Sequence, residues 1–78
     1  MSKLPQVSGK DTIRALHKIG FTISQQRGSH VKLQRTVNRQ KQTVIVPLHK
    51  VLKKGTLRNG ILKPINLSVE DFLKLLRK

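Results

Sequence analysis

Three strand-like segments, separated by short connections, constrain the fold more than any other feature of this sequence. Phe21–Gln25 and His30–Arg35 alternate apolar and polar residues, the period-two pattern of a strand with one buried face. Thr43–Pro47 is a β-branched run ended by proline, which is typical of a third strand. Parallel pairing would need long crossovers that the chain lacks. We therefore predict an antiparallel meander, with Gly28-Ser29 turning the first hairpin and a polar stretch around Asn38–Lys41 before the third strand.

A capped helix is predicted before the strands. Ser8 and Asp11 have the spacing of an N-cap residue and an acid in the first turn, and apolar residues follow at helical spacing. Gly20 then provides a left-handed stop. The pattern predicts a helix over Gly9–Ile19.

Two further helices are predicted after the strands. The first runs from about Gly55 and ends near Lys63, because Pro64 biases the preceding residue away from helical geometry. The second follows the N-cap residue Ser68. Its apolar stripe consists of Val69, Phe72, Leu73 and Leu76. Its last turn carries the cations Lys74, Arg77 and Lys78, which suit the negative end of the helix dipole.

The element order α-β-β-β-α(-α) predicts a small two-layer α+β domain, a three-stranded antiparallel sheet with helices on one face. A chain of 78 residues is short enough for us to expect a single domain over 1–78. Met1–Gln6 lacks a signal-peptide h-region, and no apolar run approaches the roughly 20 residues that span a bilayer. We expect a cytoplasmic protein without a membrane partner.

The charge balance selects polyanionic partners. Seventeen Lys and Arg residues against three Asp and Glu give a formal net charge of +14. The acids, Asp11, Glu70 and Asp71, all fall at predicted helix starts, where capping and the dipole account for them. This leaves no carboxylate for two-metal nucleases or for acid/base pairs. The absence of cysteine removes disulfides, thiolate zinc sites and cysteine nucleophiles, and we expect no cofactor.

The three histidines differ in the role that their positions predict. His17 lies in the last turn of the first helix, where an imidazole favours a structural role. Strand alternation places His30 beside Lys32, on the face opposite the core, directly after a turn that can present backbone N–H groups and a hydroxyl to a phosphate. His49 follows the third strand and is either a plain loop residue or a neighbour of that same face. The spacing of the histidines does not favour a zinc site.

Several segments, in order along the chain, resemble the HicA toxin family, the small mRNA interferases of HicBA toxin–antitoxin systems. The resemblance runs from about Ser8 to Leu76. The segments that carry it are Gly20-Phe21, Gln26–His30, Val46–Lys50, Lys54–Arg58, Ile61–Lys63 and Leu67–Leu73. Two departures from the family pattern stand out: Asn59-Gly60 adds one residue to the second helix, and Gln25-Gln26 replaces an Arg-Gln pair, removing one cation.

The resemblance implies a fold similar to a double-stranded-RNA-binding domain. It also implies an endoribonuclease that is active without a metal and inhibits translation, in which the histidine matching His30 is essential. Family members bind a HicB antitoxin that covers the active face, so a HicB-type partner and an mRNA substrate are implied for this chain.

Two hypotheses describe how the chain acts on RNA, and the first takes the essential histidine from the resemblance. In the first, His30 takes a proton from an RNA 2′-OH or assists the leaving oxygen, while Arg27, Lys32 and the Gly28-Ser29 turn hold the phosphate. In the alternative, the chain is a non-catalytic RNA-binding module. Its phosphate contacts would be Lys53, Lys54 and Arg58. A DNA-binding or ribosomal structural protein is permitted by charge alone, although no helix clusters base-reading side chains.

Overall fold

The structure, a computed structural model, describes residues 6–77. Its elements are α1 (Gly9–His17), β1 (Thr22–Arg27), β2 (His30–Val37), β3 (Gln40–Pro47), a π-helix (Thr56–Leu62), a 3₁₀-helix (Lys63–Ile65) and α2 (Val69–Leu76). The strands form one antiparallel sheet in the order β1-β2-β3. This confirms the predicted α+β class and element order. Residues 1–5 and 78 lie outside the described residues. The expectation that Met1–Gln6 is not a signal peptide and the predicted role of Lys78 in the last turn therefore concern residues that lie mostly or wholly outside the described part of the chain.

The two faces of the sheet have different surroundings. On the covered face, Val31, Leu33, Val44 and Val46 pack under the helices together with Leu16 and Phe72. On the open face, the alternate residues of the central and third strands point away from this core. These open-face residues are His30, Lys32, Gln34 and Thr36 of β2 and Lys41, Thr43, Ile45 and Pro47 of β3. No helix in the described part of the chain is long and apolar enough to cross a membrane.

Helix α1 is fixed against the His30 end of the sheet. The Ser8 hydroxyl accepts a hydrogen bond from the Asp11 N–H at 3.0 Å, as the predicted cap requires. The Gly9 N–H donates to the His49 carbonyl at 2.9 Å, and a Cβ at Gly9 would collide with the Pro47 carbonyl oxygen. The helix ends at His17, two residues before the predicted end, and Gly20 follows with a φ of 101°.

The strand boundaries correct two expectations. Phe21 is fully buried but precedes β1, whereas Ile23 is 58% exposed although it pairs with buried Leu33. The reason is that β1 is an edge strand, and a cavity between α1 and β1 leaves the Ile23 side chain accessible.

The polar stretch predicted to separate β2 from β3 is instead a two-residue turn, Asn38-Arg39, and β3 begins at Gln40. Both turn residues have positive φ, as a type I′ turn requires.

The second predicted helix is a π-helix followed by a 3₁₀-helix. Leu57, Ile61 and Leu62 are all buried, while Asn59-Gly60 is exposed. The wider π turn accommodates one more residue between the buried positions than an α-helix would, which accounts for the additional residue noted above. The π-helix ends at Leu62, as predicted for an end near Lys63, but Lys63 keeps helical φ and ψ and the chain continues into the 3₁₀-helix. Pro64 lies early in that 3₁₀-helix, where a proline's missing N–H is tolerated.

Candidate functional site

His30 opens the central strand at one end of the open face. It pairs with Arg27 of β1 and with Pro47 of β3, so its neighbours on both sides are set by the sheet register. The side chain is exposed, and no hydrogen bond joins its ring to any other residue between 6 and 77. The predicted placement opposite Val31 and Leu33 is confirmed, since both of those residues are 1% exposed. An unengaged imidazole is therefore presented to solvent from a rigid strand.

The turn before His30 is tightly held. Gly28 has a φ of +55°, whereas the φ of Ser29 is not positive. This is the pattern of a type II′ hairpin turn with glycine as its first central residue. The Gln26 amide nitrogen donates to the Gly28 carbonyl at 3.3 Å, and the Leu48 N–H donates to the Ser29 carbonyl at 2.6 Å. These bonds use carbonyl oxygens only. The Ser29 hydroxyl has no partner among the described residues and is exposed, so it is available to a ligand beside His30.

His30 shares a cavity with two cations. The cavity is about 350 Å³ in volume and is lined by Gln25, Arg27, His30, Lys32 and Ile45. Neither Arg27 nor Lys32 forms an ion pair or a side-chain hydrogen bond within the described chain. The structure thus brings together three of the predicted site residues, and no protein group neutralises the charges of Arg27 and Lys32.

Carboxylates are confined to the helix starts, as predicted. Asp11 lies in the first turn of α1, 4.0 Å from Arg14, and Glu70 and Asp71 lie in the first turn of α2. The Asp71 N–H donates to the Ser68 hydroxyl at 3.0 Å. No acidic residue occurs between positions 12 and 69, which include the whole sheet. An anion on the open face therefore meets no carboxylate belonging to the strands.

The remaining predicted cations lie apart from the His30 cavity. Lys53 and Lys54 are exposed just before the π-helix. Arg58 lines a different cavity, of about 510 Å³, beside Leu62 and the start of α2. The predicted site residues therefore form two groups. Of these two groups, the one around His30 combines a histidine with cations in one cavity. His17 shares another cavity with Lys10 and Arg14, but its ring is already hydrogen-bonded to the Phe21 carbonyl.

The other two histidines have distinct positions. The Nδ1 of His17 is 3.0 Å from the Phe21 carbonyl oxygen, to which a protonated Nδ1 donates, so this residue has the structural role expected of it. His49 lies in an exposed loop at the His30 end of the sheet, but it does not line the His30 cavity. Within residues 6–77 no group of three or more His, Cys, Asp or Glu side chains is arranged to hold a metal ion.

Sequence reasoning missed one residue of the cavity. Ile45 pairs with Lys32 and is 54% exposed on the open face, although it belongs to an apolar run. Its neighbours Val44 and Val46 are buried, so strict alternation within that run would have identified it. Gln25 is the other uncharged side chain that lines the cavity. The sequence comparison noted it only because glutamine stands there in place of the arginine of the family pattern.

The sequence of the chain matches one protein-family model. The family model described as the HicA toxin of bacterial toxin–antitoxin systems matches residues 9–67, more than half of the chain. The chain belongs to the HicA toxin family. The HicA match includes the whole sheet with His30, the turn before it and the π-helix, and it ends before α2. Membership implies a HicB antitoxin as the protein partner. No curated protein and no solved structure matches the chain.

Proposed function

We propose that this HicA toxin is a metal-independent endoribonuclease that cleaves mRNA and thereby inhibits translation, with His30 as its catalytic residue. One observation carries the proposal. An exposed imidazole without a protein partner shares an acid-free cavity with Arg27 and Lys32. Family membership supports the same activity, because the resemblance of this chain to HicA toxins implies an mRNA interferase.

The proposed reaction uses the RNA as its own nucleophile. A neutral imidazole nitrogen of His30 takes the proton of a ribose 2′-OH, and the 2′-oxygen attacks the adjacent phosphorus. The bond from phosphorus to the 5′-oxygen breaks, and the imidazolium returns its proton to that leaving oxygen, directly or through a water molecule. The products are a 2′,3′-cyclic phosphate and a 5′-hydroxyl, so neither water nor a redox partner is consumed in this step.

The cavity supplies positive charge where the transition state gains negative charge. As the 2′-oxygen bonds to phosphorus, charge accumulates on the two non-bridging phosphate oxygens. Arg27 and Lys32, together with the Ser29 hydroxyl and the backbone at Gly28, are the groups that we assign to these oxygens. Because Arg27 and Lys32 have no ion-pair partner among the described residues, no protein ion pair must be broken when RNA binds.

Base stacking contributes little to this form of recognition. The chain has two phenylalanines and no tyrosine or tryptophan, and both Phe21 and Phe72 are 0% exposed in the core. The apolar side chain available in the cavity is Ile45, which we assign to contact with the ribose of the bound nucleotide. Phosphate and sugar contacts then dominate binding, which predicts strong weakening of RNA affinity by salt.

The direct test is a comparison of RNA cleavage by wild type and His30→Ala in the presence of EDTA. Loss of the general base should reduce the cleavage rate by about 10²–10⁴-fold while thermal unfolding stays unchanged, because the exposed ring supports no packing. His17→Gln is the matched control, since it removes a histidine of α1 and should leave cleavage intact.

Three outcomes of that assay would contradict the proposal. Cleavage by His30→Ala at the wild-type rate would remove His30 from the mechanism. Loss of wild-type activity in EDTA would contradict metal independence. Binding of RNA by wild type without any cleavage would instead support the non-catalytic RNA-binding module.

The HicB antitoxin is proposed to dock over the open face. The His30 cavity carries unpaired cations and no strand carboxylate, so an acidic antitoxin surface is complementary to it. The expected result is that purified antitoxin and RNA compete, with Arg27→Gln weakening the affinity for both. Simultaneous binding of antitoxin and RNA would contradict this arrangement.

A further inference from the structure

A second group of cations lies at the far end of the open face. The turn between β2 and β3 and the first residues of β3 form a segment that we call the hairpin tip, Asn38–Lys41. Arg39 and Lys41 are both exposed there, and neither has a side-chain partner in the described chain. Lys41 pairs with Thr36, so it belongs to the same face as His30. Nothing in the proposed cleavage mechanism uses these two charges.

The backbone at the tip favours glycine where the chain has arginine. Asn38 has a φ of 51° and Arg39 a φ of 66°. Asparagine tolerates the left-handed region, but a long side chain there is disfavoured, and glycine is the usual second residue of a type I′ turn. The chain therefore places an arginine in a strained conformation at an exposed position, where glycine would fit without strain. Such strain typically persists where the side chain has a function.

The tip is held at a fixed distance from His30. The pairing of β2 with β3 runs from His30↔Pro47 to Val37↔Gln40 without a bulge, whereas the pairing of β1 with β2 is interrupted between Ile23 and Gln25. Lys41, opposite Thr36, therefore lies six strand residues from His30, which corresponds to roughly 20 Å. The open-face side chains between the two cation groups are uncharged, and polar ones predominate: Gln34, Thr36 and Thr43.

We propose that Arg39 and Lys41 form a second phosphate-binding subsite for the same RNA, so that the strand lies along the open face from His30 to the hairpin tip. The inference rests on the proposed function, because it takes RNA as the ligand. It adds that the substrate is held at a distance from the bond that is cleaved. Since roughly 20 Å exceeds the separation of adjacent phosphates, only an RNA of several nucleotides can occupy both groups.

Arg39→Gly gives a test in which stability and binding change in opposite directions. Glycine relieves the strain of the turn, so the midpoint of thermal unfolding should rise. Loss of the guanidinium should weaken binding of a single-stranded RNA of about 15 nucleotides several-fold and lower the salt slope by about 0.7. A merely structural role for Arg39 would leave RNA affinity unchanged.

The measurement uses His30→Ala protein, so that the RNA stays intact while its affinity is titrated against salt. Lys41→Gln should weaken binding of the long RNA like Arg39→Gly, and neither change should affect a dinucleotide, which cannot reach the tip. Lys74→Gln is the control for loss of one charge, because Lys74 is an exposed residue of α2, which packs on α1 away from the open face.

The outcomes separate this inference from the proposed cleavage activity. If His30-dependent cleavage holds and both tip variants bind the long RNA as Lys74→Gln does, the second subsite is wrong and the enzyme assignment stands. If wild type fails to cleave but the tip variants still lose affinity, the subsite stands without the catalytic role. Loss of antitoxin affinity by the tip variants, with RNA affinity unchanged, would overturn the inference and assign the tip to the protein partner.

Discussion

The two faces of strand β2 use the same kind of charge in opposite ways. On the covered face, the Nε of Arg35 donates to the Gln42 side-chain oxygen at 2.7 Å and its Nη1 donates to the Ile19 carbonyl at 2.8 Å. Its guanidinium carbon is also 4.8 Å from the centre of the Phe21 ring. On the open face, Lys32 makes no side-chain contact of this kind within the described residues and lines the His30 cavity.

This difference shows that the net charge of +14 is not a uniform field for RNA. A cation whose hydrogen-bond donors are already satisfied by carbonyl groups contributes to folding, and a ligand must compete for it. A cation without a protein partner contributes to binding. In β2 the two kinds of cation lie on opposite faces of the sheet, because successive side chains of a strand point to opposite faces.

The largest expected contrast between the faces concerns two adjacent residues of β2. Leu33 is 1% exposed in the core, whereas Gln34 lies on the open face. Leu33→Ala should lower the free energy of unfolding by about 2–5 kcal/mol, because it removes buried methyl groups and leaves a cavity. Gln34→Ala should change it by about 0.5 kcal/mol or less. Chemical denaturation of both variants checks this, and equal losses would mean that the open face is also packed.

A smaller contrast separates the two cations of that strand. Arg35→Met removes two hydrogen bonds and leaves the Ile19 carbonyl without this donor, so unfolding should become easier by about 2 kcal/mol. Lys32→Met should leave stability nearly unchanged but weaken RNA binding and lower its salt slope by about 0.7. Thermal unfolding and salt titrations of RNA binding measure the two effects.

The reverse pattern would contradict the division of the faces. If Arg35→Met weakened RNA binding at full stability, the covered-face cation would belong to the interface. If Lys32→Met destabilised the fold with no change in RNA affinity, the cavity would have a structural role.

The sequence predicted the fold and the position of His30 because both depend on local patterns. Alternation around Val31 and Leu33 is enough to place His30 opposite the core, and the side chains of Ser8 and Ser68 cap their helices as their spacing indicates. Strict alternation also predicts that Ile45 is exposed. The continuous β-branched run around Ile45 makes this alternation hard to recognise.

Other features depend on contacts that no local pattern encodes. The Asn38-Arg39 turn lacks the glycine that usually marks a two-residue hairpin, so the sequence pattern indicates a longer polar connection there. The π-helix arises because three apolar residues must reach one core despite the additional Asn59-Gly60. Arg35 is engaged by residues from two other segments, Ile19 and Gln42, which meet only in the folded sheet.

The smallest expected effect extends the comparison to the helices. Lys18, just after α1, donates through Nζ to the Leu75 carbonyl at 2.7 Å and to the Arg77 carbonyl at 2.8 Å. Carbonyls at a helix C-terminus lack intrahelical partners and carry partial negative charge, so this lysine satisfies and neutralises the end of α2. Lys18→Met should lower the free energy of unfolding by about 1 kcal/mol, because these exposed carbonyls can turn to water instead.

The control for this variant is Lys10→Met, which removes an exposed charge from the first turn of α1, and the Lys10 side chain makes no hydrogen bond within the described residues. It should not lower the midpoint of thermal unfolding, because a cation in the first turn of a helix interacts unfavourably with the helix dipole. Neither variant should alter the salt dependence of RNA binding if the open face alone binds phosphate, since Lys18 and Lys10 belong to the helical layer. A decrease in RNA affinity for Lys18→Met equal to that for Lys32→Met would extend the RNA surface around the edge of the sheet and end the simple division between a structural face and a binding face.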